Sequence, residues 1–215
     1  MLGPENLKTP VFDIYLADLE LEAKSLVGKR VLDLGAGTAM FASEAKRMGY
    51  RVCSVDSDET VWLPIRNEML MAKNRGLTSE GLVHWQDVLA SCCLTDMGKL
   101  PFANESFGLV VSRYACPQLL STSQEVKLVL SEVVRVLKVG GEARLFPWKS
   151  ERWPEEIKAM IVEALDFLAE TKDIWVEVKK KEVKQPWGLV EKVELLTLRK
   201  FKPRGADRFG ISWAK

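Results

Sequence analysis

Apolar residues recur at helical spacing over 12–27 (Phe-Asp-Ile-Tyr-Leu-Ala-Asp-Leu…), which predicts an opening helix. Lys29-Arg-Val-Leu-Asp-Leu34 then reads as a short strand, ended by Gly35-Ala-Gly37. Residues 38–49 read as a second helix, with Gly49 as its C-terminal cap. Arg51–Val55 predicts a second strand, and the acidic run Asp56-Ser-Asp-Glu59 suits a helix start, where carboxylates meet the positive end of the helix dipole. That helix is expected to reach about Asn74 and stop near Gly76, with Pro64 in or near its first turns. Leu82-Val-His-Trp-Gln86 and Phe107–Ser112 predict the third and fourth strands. An amphipathic helix over 124–138 ends at Val139-Gly-Gly141, and Glu142–Phe146 predicts a fifth strand. Pro154 opens a last helix as a first-turn proline and carries it to about Glu170. Two alternating segments follow, from Ile174 and from Val190 to Phe201, joined through Gln185-Pro-Trp-Gly188.

Strands alternating with helices at this spacing predict an α/β fold: a mostly parallel sheet with helices on both faces. Continuous apolar runs such as Leu109-Val-Val111 fit strands buried on both sides. The final two strands, about 174–201, have no long helix between them, so they should pair antiparallel at one edge.

Composition narrows the functions more than the fold. The 215 residues carry 47% hydrophobic and 28% charged side chains, which excludes a largely disordered chain. No apolar run is long enough for a membrane span, and residues 1–10 do not read as a secretory signal. The net charge is +1, which argues against a surface devoted to nucleic acid. The charge is uneven, however: Lys172–Lys215 holds 12 basic against 6 acidic residues, a net of +6, so the first 171 residues carry −5. Cys53, Cys92, Cys93 and Cys116 form no C-x-x-C pair, and His84 is the single histidine. A Cys/His metal site is therefore not expected, and the cysteine usage fits a reducing, cytoplasmic setting. No G-x-S-x-G elbow accompanies His84, which disfavours a nucleophilic hydrolase.

The chemistry concentrates in Val31-Leu-Asp-Leu-Gly-Ala-Gly-Thr-Ala39, where a strand ends on glycines and a helix begins. Glycines there allow a tight turn and close approach of the backbone to a ligand, beyond the carboxyl ends of the strands. Asp56, at the end of the second strand, can accept hydrogen bonds from both hydroxyls of a ribose. The pair points to an adenosine-type ligand. The dinucleotide fingerprint wants Gly or Ala where Met40 stands, and Asp33 would repel a pyrophosphate. A cationic ligand bearing an ammonium and a sulfonium suits Asp33 better.

On these residues the chain resembles the class I S-adenosylmethionine-dependent methyltransferases, of the type 11-like kind. The resemblance covers about residues 29–148 and rests on the glycine loop, Val55-Asp-Ser-Asp, Gln86-Asp87, Leu100-Pro-Phe, Ser106-Phe-Gly-Leu-Val-Val-Ser and Glu132-Val-Val-Arg-Val-Leu-Lys-Val-Gly-Gly141. It implies a Rossmann-like, seven-stranded sheet in a single domain over 1–215, with the 12–27 helix as a lid that brings Tyr15 toward the cofactor. It also implies site roles. Gly35, Ala36 and Gly37 would pass beneath the methionine part of the cofactor, and Asp33 would hold its amino group. Asp56 would take the ribose, with Ser57 beside the adenine. Asp87 would accept the adenine amino group and the Val88 backbone N–H would meet a ring nitrogen. Ser112 would face the cofactor at the end of the fourth strand. Arg113, Tyr114, Gln118 and Trp148 are candidates for the acceptor site. The Asn/Asp-Pro-Pro-Tyr motif of amino-methylating nucleic-acid enzymes is absent; Ser112-Arg-Tyr-Ala-Cys-Pro-Gln118 stands there instead.

The resulting expectation is methyl transfer from S-adenosylmethionine, leaving S-adenosylhomocysteine, to a small molecule. No metal and no membrane partner is expected, and no strong general base is visible near 112–118. The alternatives are RNA or protein methylation guided by Lys179-Lys-Lys181 and Arg199–Arg204, or a non-catalytic cofactor-binding subunit.

Overall fold

The structure, a computed structural model, describes residues 11–63, 67, 86–171, 173–184, 189–202 and, as backbone, 211–214. Its centre is a sheet of eight strands: β1 (Arg30–Leu34), β2 (Arg51–Asp56), β3 (Cys92–Leu94), β4 (Phe107–Arg113), β5 (Leu137–Ser150), β6 (Ile174–Lys184), β7 (Val190–Lys200) and β8 (Ile211–Ala214). Their order across the sheet is β3-β2-β1-β4-β5-β7-β6-β8. The first five run parallel, and β7 is antiparallel to both β5 and β6, as the missing crossover helix requires. The additional strand, β8, pairs parallel to β6 and brings the sheet to eight.

Among the described residues the helices α1 (Val11–Asp18), α2 (Met40–Arg47), α3 (Ser123–Val136) and α4 (Glu155–Glu170) flank the sheet. Val126, Val129, Leu130, Val133 and Val136 recur at helical spacing and bury one stripe of α3 against the sheet. Met160, Ile161, Ala164, Leu165 and Leu168 do the same for α4. Together they pack on Leu32, Leu34, Val110 and Leu145. On the opposite face α1 and α2 bury Phe12, Tyr15, Phe41 and Ala45 against Val31, Val52, Leu109 and Val111.

The opening helix is shorter than its pattern predicts. It ends at Asp18, Glu20 takes a left-handed conformation (φ 51°), and a single 3-10 turn covers Ala23–Leu26. The expected third strand, Leu82–Gln86, lies outside the described residues except for Gln86. Gln86 itself is helical, as are the described residues 87–89, and the strand described beside β2 is Cys92–Leu94. After β2 there is one 3-10 turn, Glu59–Trp62, and the remainder of the helix expected to Asn74 falls mainly outside the described residues. The fifth strand extends through the Gly140-Gly141 segment to Ser150, and Pro154 caps α4 from outside rather than sitting in its first turn.

Candidate active site

The strand order reverses between β1 and β4: β2 and β3 lie to one side, β5 to the other. Such a reversal leaves a crevice beyond the carboxyl ends of the strands. The turn after β1 crosses it. Gly35 (φ 67°) and Gly37 (φ 51°) both adopt left-handed conformations. A Cβ on Gly35 would sit 2.2 Å from the Ala115 Cβ, so only glycine lets this turn pass beneath the loop after β4. A Cβ on Gly37 would meet nothing within 4 Å; there the need is conformational, and the space above the backbone is open.

Asp56 fastens this turn to the end of β2. One carboxylate oxygen accepts the Gly37 N–H (2.9 Å) and the other the Asp58 N–H (3.0 Å). Gly35 and Ala36 both donate to the Val55 carbonyl (2.9 and 3.0 Å). A cavity of about 450 Å³ opens beside the turn. Gly35, Asp56, Ser57, Asp96 and Met97 wall it on the strand side, and Leu119, Ser121, Glu125 and Leu128 on the α3 side.

Asp33 is wholly buried, and neither carboxylate oxygen has a hydrogen-bond partner among the described residues. Burial pushes its pKa up to about 8; the nearby Tyr15 hydroxyl and Arg113 draw it down, and the Asp56 charge pushes it up. Tyr15 on α1 covers it without reaching full hydrogen-bond geometry. The Tyr15 phenol is in turn pushed up, mainly by burial and by the Asp33 charge. A buried carboxylate with no partner is costly. Its fit is to a cation, and an adenosine ligand with ammonium and sulfonium groups supplies one. The residues present therefore suit such a cofactor: a buried carboxyl without a partner among the described residues, which a bound cation would help to ionise, an open glycine turn and the Asp56 carboxylate on the cavity wall.

Other expected site residues take different places. Asp87 is exposed among the helical residues 86–89, where its carbonyl accepts from Lys46 Nζ (2.6 Å). Val88 is buried against Ala39 and Trp62, and its carbonyl accepts from Ser91. Neither lines the cavity. The β2–β3 pairing, Asp56 against Leu94, instead brings Asp96 and Met97 there. Asp96 was missed, although it stands only four residues before the Leu100-Pro-Phe stretch that carried the resemblance.

Ser112 is buried and spent on structure: it donates to the Leu34 carbonyl and accepts the Cys116 N–H, both at 3.1 Å. Arg113 pairs with Asp18 of α1 (2.7 Å) and lies over the Tyr15 and Tyr114 rings. Tyr114 sits at the end of β4 with φ 56°, edge-on to Phe146. Gln118 is exposed. Trp148 is fully buried in the core against α3 and α4, so it offers no stacking surface to an acceptor. Burial holds the Cys116 thiol at a pKa of about 12, which removes it as a thiolate base. His84 lies outside the described residues.

A family model described as a methyltransferase domain matches residues 32–145. No curated protein matches the chain in sequence. Among solved structures, an S-adenosylmethionine-dependent methyltransferase of Methanosarcina mazei superposes with a TM-score of 0.54 at 17% identity, covering 90% of this chain and 98% of its own. A protein of Pyrococcus horikoshii gives 0.52 at 19% identity, with 91% and 93% covered. A methyltransferase of this type from Methanococcus maripaludis gives 0.50 at 12% identity, with 91% and 86% covered. These likenesses show the fold, and the matched segment runs from β1 through β5, the part of the chain that forms the glycine turn and the cavity. The chain belongs to the methyltransferase-domain family, the S-adenosylmethionine-dependent class to which its glycine turn and acidic residues point.

Proposed function

We propose that this enzyme methylates a small-molecule acceptor at the ends of β1 and β4. The observation that carries the donor site is Asp33, fully buried two residues before the glycine turn, with neither oxygen partnered among the described residues. Asp33 would take the ammonium end of S-adenosylmethionine, Asp56 the ribose hydroxyls and Asp96 the adenine side. When bound, the cofactor supplies an activated methyl group on a sulfonium. The chain's own work is then positioning and exclusion of water. Gly35 of the turn stands on the cavity wall with Asp56, Ser57 and Met97, and Leu119, Leu120 and Leu128 supply the apolar side opposite.

The small-acceptor reading is supported by how the C-terminal cations are used. Lys179 pairs with Glu20 (2.7 Å), and Lys181 donates to the Ala17 and Asp18 carbonyls. Arg199 pairs with Glu142 (3.0 Å). These three groups hold α1 and the sheet together rather than standing free for RNA. Among the described residues no thiolate or histidine stands at the end of β4, so the reading favours an acceptor that is already nucleophilic, such as an amine or thiolate.

Calorimetry with S-adenosylmethionine and S-adenosylhomocysteine tests the donor site. Both should bind to the parent, and Asp56→Ala and Asp33→Asn should each weaken binding at least about tenfold, the loss of one charge-assisted contact. Equal binding by parent and both variants would overturn the site. A screen of small amines and thiols for S-adenosylhomocysteine release then tests the acceptor class, with turnover only on RNA or protein counting against it.

A further inference from the structure

A second cavity, of about 390 Å³, lies at the opposite end of the sheet from the glycine turn. It forms where β1 and β2 begin and the loop before β4 returns. Lys29, Arg30, Arg51 and Lys138 line it together with Glu105 and Ser106. Four cations thus share one cavity with one carboxylate, and that carboxylate already faces Lys200 at 3.5 Å. Parallel strands bring Arg30 and Arg51 side by side: they are register partners at the first positions of β1 and β2.

The four cations are not held alike. Arg51 donates to the Gly28 carbonyl (2.9 Å). The Arg30 guanidinium lies over the Phe107 ring at 4.6 Å. The Lys29 stem packs against Gly108, where a side chain would meet it at 3.1–3.4 Å. Neither Lys29 nor Lys138 has an ion-pair partner or side-chain hydrogen bond among the described residues. Two anchored guanidinium groups beside two free ammonium groups make a positive basin whose mutual repulsion an anion would relieve. Guanidinium forks and ammonium points together suit phosphoryl oxygens better than a single carboxylate.

We propose that this basal cavity binds a phosphoryl anion, the phosphate of a small phosphorylated molecule or of an RNA backbone. It is separate from methyl transfer, since β1 alone places Arg30 ~13 Å from Leu34. The site therefore anchors or senses a ligand rather than reacting with it.

The test is calorimetric titration of the full chain with pyrophosphate and, separately, with a short single-stranded RNA. The parent is compared with Lys29→Gln/Lys138→Gln, which removes only the two unpaired charges. The urea midpoint of the variant should match the parent, so any loss of binding is not a loss of fold. Pyrophosphate binding that weakens at least about tenfold in the variant supports a small phosphorylated ligand. RNA binding whose salt slope falls by about 1.4 in the variant, with pyrophosphate inert, supports the RNA backbone as source. Binding of neither probe, or binding indifferent to the double substitution, overturns the proposal.

Discussion

At the residue scale, Asp33 is the group whose environment departs furthest from its chemistry. Its carboxyl ionises near 3.8 when unfolded and is raised to about 8 when buried, so between those values the folded chain keeps a proton that the unfolded chain has lost. Stability of the cofactor-free protein should accordingly fall as pH rises from about 4 to about 8. Asp33→Asn should flatten that dependence and be more stable than the parent at the alkaline end, while binding S-adenosylmethionine more weakly. Thermal melts of both proteins across this range check the sign; a parent that gains stability with pH relative to the variant contradicts it. The two glycines of the turn separate in the same way. Gly35→Ala brings a backbone penalty and a collision with Ala115 and should cost about 2 kcal/mol or more, whereas Gly37→Ala meets only the left-handed penalty of about 1 kcal/mol. Urea unfolding of the two variants reads that order directly.

At the scale of elements, α3 links folding to the site. Thr122 and Glu125 form a reciprocal cap at its start, and Glu125 also accepts the Ser121 N–H (2.7 Å). Ser121, Glu125 and Leu128 wall the cavity, so the same cap that starts the helix shapes the pocket. Thr122→Ala should cost about 1 kcal/mol of stability. It should also weaken cofactor binding modestly, and calorimetry of a folded variant with unchanged affinity would separate cap from pocket. The far end of this helix does a different job. Arg135 grips both Glu132 oxygens (2.6 and 2.7 Å) and the Leu100 and Phe102 carbonyls (3.0 and 2.7 Å). Two stretches that carried the family resemblance, Leu100-Pro-Phe and Glu132-Val-Val-Arg, are thus partners in one clasp that sets the loop leading into β4. α1 is held differently, by the Asp18–Arg113 pair and the two Lys181 hydrogen bonds, across more than 90 residues of sequence.

At the scale of the molecule, the reversal of strand order places the glycine turn, Asp56 and Asp96 at one end of the sheet and the basic cavity at the other. A ligand held only by the folded end stabilises the whole chain by mass action. S-adenosylhomocysteine at about 100 times its Kd should add ~2.7 kcal/mol, a rise in Tm of about 5–10 °C for a chain of this size. A smaller rise in Asp56→Ala, measured at the same ligand concentration, would tie the effect to this site.

Most of the architecture could be read along the chain, because its causes are local. Strands buried on both faces must be apolar runs, helices packed on one face must repeat their apolar residues, and the turn at Gly35 and Gly37 tolerates little else. Asp33 and Asp56 could be singled out as candidates for the same reason, being adjacent to that turn or at the next strand's end. What failed depended on neighbours distant in sequence. A three-residue strand such as Cys92–Leu94 has too little periodicity to stand out along the chain, so nothing in sequence marks Asp96, and the β2–β3 register is what brings it to the cavity. Along the chain the hydroxyl of Ser112 stands where the cofactor is expected, and the guanidinium of Arg113 and the indole of Trp148 where an acceptor site is expected. Packing commits them to Leu34 and Cys116, to Asp18, and to the core. Sequence by itself determined the fold class, the glycine turn and the acidic partners near it, since backbone conformation and hydrophobic period are written into consecutive residues. Tertiary structure alone decided which carboxylate joins the cavity, which polar groups are already satisfied and where unpaired charge collects, because those depend on which surfaces meet.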